Sequence, residues 1–386
     1  MSVLHLFDIG LWLIMAGSTV YAAFFAIVSL LPKKKETISE SHTHHRFLVL
    51  FPAYCEDSVI RKSIEAFLRQ TYPADFYELC VISDHMQAET NEWLQSQPLR
   101  LLLPTFQKSS KGRALHYAIE QTSQMFDYVV VLDADNIVAP DFLHYLNNLC
   151  STRNYDAIQC HRMAKNADNN IAVLDSLSEE INNTIFRKAH NRIRLSSALI
   201  GSGMCFNYEW FRQNVEHLSS AVEDRELEAL LMKQNIFIKY ADHIHVLDEK
   251  VSNAETFQHQ RLRWMNGQVQ SLLGMVSYLP TAMRKGNINY IDKTIQQALI
   301  PRSILLVFVP LVALLLTLTV PSWSIKWWVL FATLCMAIIA ATPRKMRTFG
   351  TFSKTISLPK LAGRMLLNLF KLDKNNKDFI HTQHSS

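Results

Sequence analysis

Apolar residues are distributed unevenly along this chain of 386 residues. Three long segments carry no charged side chain, namely Ile9–Leu31, Ser303–Ile325 and Trp327–Pro343. About 20 apolar residues are enough for a helix to cross the ~30 Å hydrocarbon core of a bilayer, so the pattern predicts three transmembrane helices. The first segment is preceded by Asp8 and by no Lys or Arg, which favours an uncleaved anchor over a signal peptide.

Between these segments, short apolar stretches alternate with amphipathic ones. The apolar stretches predict strands and the amphipathic ones predict helices, in the order Phe47–Phe51, Asp57–Gln70, Leu79–Ile82, Ala88–Ser96, Leu99–Leu103, Lys111–Gln121 and Tyr128–Leu132. Continuous apolar strands separated by helices indicate a mostly parallel sheet that is covered on both faces. The pattern therefore predicts an α/β domain over residues 47–270.

The remaining parts of the chain complete the predicted organisation. Residues 1–32 form the N-terminal anchor and residues 33–46 a polar linker. Residues 271–302 combine apolar faces with basic side chains, as do parts of the tail 344–386, and this combination is typical of amphipathic helices at a membrane surface. Residues 303–343 contain the two C-terminal transmembrane helices.

Composition and charge support a multi-pass protein of the plasma or inner membrane. Charged residues make up 19% of the chain, below the ~25% of typical soluble domains. Basic residues at Lys33–Lys35, Arg302 and Arg344–Arg347 flank the apolar segments, and cytoplasmic flanks are enriched in Lys and Arg. The α/β domain is therefore predicted to be cytoplasmic, with residues 321–326 outside. The net charge of +5 reflects this topology and gives no sign of nucleic-acid binding.

Acidic residues follow three of the four predicted strands. Glu56 follows the first strand, Asp84 the second, and Asp133 and Asp135 the fourth. Ligands of parallel sheets bind beyond the carboxyl ends of the strands, so these side chains are expected at one site. Two carboxylates at i and i+2 can bind a hard divalent cation that also holds a diphosphate, although such a pair alone is equally compatible with a solvated turn.

Two further elements can carry chemistry. Glu223 and Asp224 open a predicted helix, where a carboxylate serves either as a helix cap or as a general base. Gln260, Arg263 and Trp264 stand at i, i+3 and i+4, and therefore on one helix face. This face offers a guanidinium that can bind phosphate oxygens and an indole that can stack on a sugar ring.

Taken in order, the segments PAYCED, ISDH, KGRAL, DADN, GSGM, VED and QRLRW resemble the inverting glycosyltransferases of family 2. The resemblance is to their membrane-embedded branch, which holds the cellulose, chitin-oligosaccharide and hyaluronan synthases, and it covers about residues 47–270. It implies a GT-A-type domain that binds a nucleotide sugar, UDP-linked in this branch, together with Mg²⁺ or Mn²⁺. The implied reaction transfers the sugar to a glycan acceptor in polysaccharide or oligosaccharide synthesis.

The resemblance also implies a role for each matching residue. The residues that would contact the nucleotide or the donor are Ala53, Tyr54, Glu56, Asp84, Lys111, Asp133 and Asp135. Asp135 would in addition bind the metal, and Asp224 would be the catalytic base. Gly203 would line the acceptor site, and Gln260, Arg263 and Trp264 would hold the diphosphate and the acceptor sugar. Phe379–Thr382 resembles the gating segment of the branch, with Gln383 where a basic residue or Pro is often found.

The chain departs from the long-chain synthases in its number of membrane segments. Those enzymes build a translocation channel from six or more helices, whereas three are predicted here. Export of a long polymer would therefore need a homo-oligomer or an export partner, or else the product is short. Two alternatives stay open: transfer of a single sugar to a lipid-linked acceptor, which the Q-x-x-R-W segment disfavours, and a non-catalytic nucleotide-binding subunit, which the intact carboxylates disfavour.

Overall fold

A mixed eight-stranded sheet lies at the centre of the fold in the computed structural model, which describes residues 3–32, 40–166, 169–218, 222–250, 254–348 and 350. The strands are β1 (Phe47–Tyr54), β2 (Tyr77–Asp84), β3 (Arg100–Leu102), β4 (Tyr128–Val131), β5 (Ile137–Val138), β6 (Ala157–Ala164), β7 (Met204–Asn207) and β8 (Ile238–Asp248). Their order across the sheet is β3-β2-β1-β4-β7-β6-β8-β5.

The four strands predicted from the apolar pattern form the parallel half of this sheet. β1 pairs in parallel with both β2 and β4, and β2 pairs in parallel with β3, so their carboxyl ends meet at one edge. β7 is antiparallel to β4 and β6, β6 is parallel to β8, and β5 is antiparallel to β8. The predicted α/β fold with a mostly parallel sheet is confirmed.

Fourteen α-helices surround the sheet or precede and follow it within the described residues. They are α1 (Val3–Val28), α2 (Ile60–Phe67), α3 (Ala88–Gln95), α4 (Lys111–Glu120), α5 (Phe142–Arg153), α6 (Asn170–Asn182), α7 (His190–Arg192), α8 (Tyr208–Asn214), α9 (Glu223–Lys233), α10 (Ala254–Val276), α11 (Leu279–Arg284), α12 (Ile288–Ala298), α13 (Arg302–Thr319) and α14 (Pro321–Ala341). A π-helical segment, Asn183–Ala189, joins α6 to α7.

The side chains of β1 alternate between two hydrophobic clusters, one on each face of the sheet. Phe47, Val49 and Phe51 belong to the cluster that includes α2 and α5. Leu48 and Leu50 belong to the cluster that includes α4, α8 and α9. All five side chains are fully buried, as the two-residue period of a strand with both faces covered requires.

Three helices, α1, α13 and α14, are long and apolar enough to span a membrane, as predicted. They pack on one another around Trp327, which is fully buried. The carboxylate of Asp8 on α1 accepts a hydrogen bond of 2.9 Å from the indole Nε1 of Trp327 and forms an ion pair with Lys326 of α14. Pairing is what makes ionised groups tolerable in such an apolar setting.

This ion pair explains two differences from the predicted spans. The first span was predicted to begin after Asp8, yet α1 begins at Val3 and includes that residue. The third uncharged segment begins at Trp327, yet α14 begins at Pro321 and includes Lys326, and only Val320 separates α14 from α13. That residues 321–326 lie outside stays a prediction. A charge interrupts an apolar pattern in the sequence but does not interrupt the helix when a partner neutralises it.

The α/β domain is joined to the membrane helices by hydrophobic and polar contacts. Apolar side chains of α6, the π-helical segment, α1 and α14 form one cluster. Tyr21 of α1 donates a hydrogen bond of 2.7 Å to Asp292 of α12, and its hydroxyl lies 2.9 Å from Nε2 of the buried His190. The site described below is therefore built against the membrane helices. Lys33–Lys35, most of the predicted tail and Phe379–Thr382 lie outside the described residues.

Candidate functional site

A cavity of about 520 Å³ extends from the carboxyl ends of the parallel strands to the start of α13. It brings together residues that are far apart in the chain. The residues predicted from sequence that line it are Ala53, Tyr54, Glu56, Asp84, Lys111, Asp133, Asp135, Asp224, Gln260, Arg263 and Trp264. Of the predicted site residues within the described parts of the chain, Gly203 alone is absent from this lining.

Backbone turns at the ends of β1 and β2 place the first of these side chains. Cys55 and His85 have positive φ angles of 53° and 58°, which non-glycine residues seldom adopt. The Cys55 backbone N–H donates a hydrogen bond of 3.1 Å to the carbonyl of Asp84 and so ties the two turns together. Asp84 is buried, and its Oδ1 lies 2.6 Å from Nδ1 of His85. Such turns point the side chains of Tyr54 and Asp84 along the carboxyl edge of the sheet.

Lys111 forms the centre of the charged part of the cavity. It begins α4, and its ammonium pairs with Asp133, donates a hydrogen bond of 2.6 Å to the carbonyl of Gly201, and lies 3.4 Å from the Glu223 carboxylate. Burial lowers the pKa of Lys111, but the carboxylates of Asp133 and Glu223 outweigh burial and raise that pKa above its ordinary value. Lys111 is therefore a permanent cation that holds β4, the Gly201 turn and α9 around one point.

Asp135 is a buried carboxylate without a cationic partner among the described residues. Its oxygens accept hydrogen bonds from the backbone N–H of Glu249 at 2.9 Å and from the Asn136 amide at 3.1 Å. Burial, followed by the neighbouring carboxylates of Asp248 and Asp133, raises the pKa of Asp135 well above its usual range. Excess negative charge and oxygen ligands are what a hard divalent cation prefers. In the described part of the chain, no group of three or more His, Cys, Asp or Glu side chains could hold a metal.

Behind Asp135 lies a cluster of four charges that the sequence did not lead us to expect. Lys250 Nζ is 2.8 Å from both the Glu179 and the Asp248 carboxylates. Arg162 lies 3.0 Å from Glu179 and 3.3 Å from Asp248. Burial alone would raise the pKa of Glu179. The positive charges of Arg162 and Lys250 outweigh burial, and the pKa of Glu179 lies well below its ordinary value. A sequence signal existed, because Asp248-Glu249-Lys250 follows a strand just as the acidic groups follow β1, β2 and β4.

The first residues of α9 face a glycine turn across the cavity. Glu223 is buried, and burial raises its pKa to about 7 despite the nearby Lys111. The Asp224 carboxylate accepts a hydrogen bond of 2.8 Å from the Arg225 backbone N–H. Gly201, with φ of +81°, lies so close that an added Cβ would stand 3.8 Å from Asp224 Oδ2. The Asp224 carboxylate thus borders the cavity at a turn where a side chain is disfavoured.

Gly203 has a packing role in the structure. Its φ is +63°, and an added Cβ would stand 2.9 Å from Val246 and 3.3 Å from Cys160. The residue therefore lets β6, β7 and β8 approach one another beneath the site. Of the two glycines in the GSGM segment, Gly201 is the one that lines the cavity.

Helix α10 contributes one wall of the cavity, formed by the helix face that was predicted from sequence. Gln260, Arg263 and Trp264 all line the cavity. Arg261 lines it as well, with its guanidinium 4.6 Å from the centre of the Trp264 ring and in an ion pair with Asp175 of α6. The buried Oε1 of Gln260 has no hydrogen-bond partner among the described residues. Buried polar atoms are seldom left unpaired, so this wall offers unused capacity for a ligand.

A family model and a curated relative both match this chain. The family model described as "Glycosyltransferase like family 2" matches residues 44–267. A protein of Oryza sativa subsp. japonica, "Probable glucomannan 4-beta-mannosyltransferase 2", is 24% identical over 312 residues, which cover 72% of this chain and 52% of the relative. The chain therefore spans about half the length of this curated relative.

Solved structures resemble the fold. The mannosyltransferase PcManGT from Pyrobaculum calidifontis, in complex with GDP-Man and Mn²⁺, has a TM-score of 0.57 at 15% identity, covering 95% of this chain and 99% of that one. This likeness bears on the fold alone. S. aureus TarS 1-349 in complex with UDP-GlcNAc has a TM-score of 0.45 at 12% identity, covering 85% and 89%.

Close packing of α10 against the start of α9 can be tested at Gly267. A Cβ added to Gly267 would stand 2.6 Å from Val222, whereas one added to Gly274 in the same helix meets nothing within 4 Å. Both changes to alanine gain up to about 1 kcal/mol of helix propensity. Gly267→Ala should lose this gain and cost about 1–3 kcal/mol through overpacking. Melting temperatures should therefore fall for Gly267→Ala and hold or rise for Gly274→Ala; equal melting temperatures would contradict the packing described here.

The carboxyl group of Glu56 gives a prediction about pH. Burial and the nearby Asp133 and Glu249 carboxylates raise the pKa of Glu56 from its ordinary 4.5 to about 8. At a pH between these two values, Glu56 keeps its proton in the folded chain and releases it in the unfolded chain. The folded state is therefore destabilised increasingly as the pH rises through this range. The melting temperature of Glu56→Gln minus that of the wild type, measured in EDTA, should grow between pH 5 and pH 9. The exposed Glu65 provides the control, Glu65→Gln, for which the difference should stay flat.

Proposed function

This chain belongs to the glycosyltransferase-like family 2, and from that premise we propose that it is an inverting glycosyltransferase that moves a sugar from a nucleotide donor to a glycan or lipid-linked acceptor. The observation that carries the proposal is the single cavity. It combines carboxylates from the ends of three parallel strands with Asp224 and with the Gln260, Arg263 and Trp264 face of α10. A non-catalytic subunit has no need of this convergence.

In the proposed complex, the nucleotide lies along the carboxyl ends of β1, β2 and β4. Ala53, Tyr54 and Asp84 would contact the nucleoside, and Glu56, Lys111 and Asp133 would border the donor. Arg263 would bind the diphosphate oxygens, since a guanidinium suits phosphate geometry. We propose a UDP-linked donor from the resemblance. The GDP-Man in the structural neighbour and the mannosyltransferase name of the rice relative make GDP-mannose the second candidate.

A divalent cation fits beside the donor. Asp135 offers two carboxyl oxygens, and no described cation lies within 4 Å of them. Because its pKa is raised well above the usual range, a cation bound there would take the place of a proton. We propose that Asp135 holds Mg²⁺ or Mn²⁺, and a bound cation of this kind neutralises a departing diphosphate. Mn²⁺ is present in the neighbouring mannosyltransferase structure.

The proposed reaction is a single displacement. Asp224 accepts the proton of the acceptor hydroxyl, and the hydroxyl oxygen attacks the anomeric carbon of the donor sugar. The bond from that carbon to the phosphate oxygen breaks, and the nucleoside diphosphate leaves with the bonding electrons. Gln260 and Trp264 orient the acceptor sugar. Lys111 fixes Glu223, and therefore the start of α9, at a constant distance from the donor side.

A donor panel tests this function. The purified full chain is incubated with UDP-hexoses, UDP-N-acetylhexosamines, UDP-hexuronic acids and GDP-mannose, with Mg²⁺ or Mn²⁺ and with EDTA, and nucleotide release is measured. One donor class should be turned over in the presence of metal. Asp224→Asn should bind that donor with a Kd within about twofold of wild type while transfer falls at least 10²-fold, because general-base catalysis contributes about 10²–10⁴-fold. Joint loss of binding and transfer would make Asp224 structural, and no turnover of any donor would refute the function.

Orientation in the membrane forms the second part of the proposal. Nucleotide sugars are cytoplasmic, so the cavity must face the cytoplasm of a multi-pass protein of the plasma or inner membrane. In a cysteine-free background, His42→Cys lies on the domain side and Ser322→Cys at the exposed start of α14. An impermeant maleimide should label only the second variant in intact cells and both after permeabilisation. Labelling of the first in intact cells would place the domain outside and contradict the orientation.

A further inference from the structure

The cavity does not end at the donor side but continues to the membrane helices. Its far wall includes Ser18 and Ala22 of α1 and Arg302 and Ser303 at the start of α13. Both helices are candidate membrane spans. We call this part of the cavity, bounded by these four residues and by Arg261, the membrane end. It lies where the α/β domain meets two of the three helices that are long and apolar enough to span a membrane.

Arg302 at the membrane end has unused hydrogen-bonding capacity. Its Nη2 donates hydrogen bonds of 2.6 Å to Asn182 Oδ1 and 3.3 Å to the Ser178 carbonyl. Its Nη1 is buried and has no partner among the described residues, and no described carboxylate lies within the 4 Å of an ion pair. A buried guanidinium without a counter-charge is costly unless a ligand completes it.

A second guanidinium lies on the same wall of the cavity. Arg261 pairs with Asp175 and stacks on Trp264, yet its buried Nε has no hydrogen-bond partner among the described residues. The guanidinium groups of Arg261 and Arg302 carry two positive charges, and Asp175, the partner of Arg261, carries one negative charge. One positive charge at the membrane end is therefore uncompensated. Arg302 is also the first residue of α13, where the helix dipole favours an anion. Charge, donors and helix position therefore all select an anion such as a phosphate.

Two simpler roles for Arg302 fit the structure less well. A basic residue that only anchors a span to lipid headgroups is exposed, as Arg284 and Arg344 are, whereas Arg302 lines the cavity. A residue that only binds the donor diphosphate would belong beside Lys111 and Asp135, at the strand ends. Arg302 instead lies at the start of α13 and is hydrogen-bonded to Asn182 and Ser178 of α6, not to any described residue of the strand ends.

We propose that the membrane end binds the phosphate or diphosphate group of a lipid-linked saccharide that serves as the acceptor. Arg302 and Arg261 would donate to the phosphate oxygens, and the lipid chain would continue into the bilayer beside α1 and α13. The saccharide would then extend towards Trp264 and Asp224, which line the same cavity. This inference rests on the proposed function and narrows its acceptor to the lipid-linked class.

Binding of an alkyl phosphate to the full chain in phosphatidylcholine nanodiscs tests the proposal. The probes are dodecyl phosphate, dodecan-1-ol, inorganic phosphate, UDP and GDP, and the readout is the dissociation constant from calorimetry. The variants are Arg302→Gln, Arg302→Lys and the matched control Arg344→Gln, which removes an exposed arginine at the end of the third span. Melting curves of all variants report folding, and Arg302→Lys carries the test if Arg302→Gln does not fold.

Wild type should bind dodecyl phosphate more tightly than either dodecan-1-ol or inorganic phosphate. Arg302→Gln should weaken dodecyl phosphate binding by about tenfold or more, because a charge-assisted hydrogen bond is lost. Arg302→Lys, which keeps the charge, should show a smaller loss, and Arg344→Gln none. Affinities for UDP and GDP should stay within about twofold in all variants.

Three outcomes would overturn the proposal. An equal or larger loss of UDP or GDP affinity in Arg302→Gln would assign the anion to the donor diphosphate. Equal binding of inorganic phosphate and dodecyl phosphate would assign it to free phosphate, and unchanged dodecyl phosphate binding in Arg302→Gln would make Arg302 structural. These readouts need no sugar transfer, so a failed donor panel with intact dodecyl phosphate binding would refute the function and leave the anion site standing.

Discussion

Mutual neutralisation of buried charges is the interaction on which the rest of this structure depends. Glu179, Asp248, Arg162 and Lys250 lie in the interior within 3.3 Å of their partners, where any one of them alone would be strongly destabilising. They join the consecutive elements β6 and α6 to the end of β8, which lies much further along the chain. Arg162 and Lys250 lower the pKa of Asp248, whereas burial and the neighbouring carboxylates of Asp248 and Asp133 raise the pKa of Asp135. Asp135 is therefore the carboxyl group of this pair that holds a proton, and a bound cation would have to replace that proton.

The same cluster connects the sheet to the membrane. Glu179 is on α6, and α6 continues through the π-helical segment into the contacts with α1 and α14. Asp175, about one turn before Glu179 on the same helix, pairs with Arg261 of α10. Helix α6 thus contacts the four-charge cluster, helix α10 and the helices α1 and α14, and holds them in position relative to one another. A displaced α6 would disturb all three, which makes the junction a rigid part of the site.

How much of this was predictable from sequence depends on whether the signal is local. The apolar strands and the acidic residues after them, such as Asp84 and Asp135, were predictable because parallel strands bring their ends together by geometry alone. Of the four-charge cluster, only Asp248 and Lys250 had such a signal, since they follow a strand. The pairing of Arg162 with Glu179 was not predictable, because it arises from packing of a helix on a strand and leaves no periodic pattern. The start of α14 was mispredicted for a similar reason, since Asp8 neutralises Lys326 across 318 positions of sequence. Gly203 shows a different limit: the sequence motif predicts a place at the acceptor site, which stays a prediction, and gives no sign of the close packing of its backbone against Val246 and Cys160.

The three membrane helices limit what the proposed product can be. In the described residues, α1, α13 and α14 are in direct contact, and the centre of their interface is filled by Trp327, Leu305 and Val309, all fully buried. Helices that fill their own interface with side chains leave no lumen for a polymer, because interior packing is as dense as that of organic crystals. A single copy therefore has no path for a growing chain among these helices. Either the product stays attached at the membrane surface, or further copies or an export partner supply the channel.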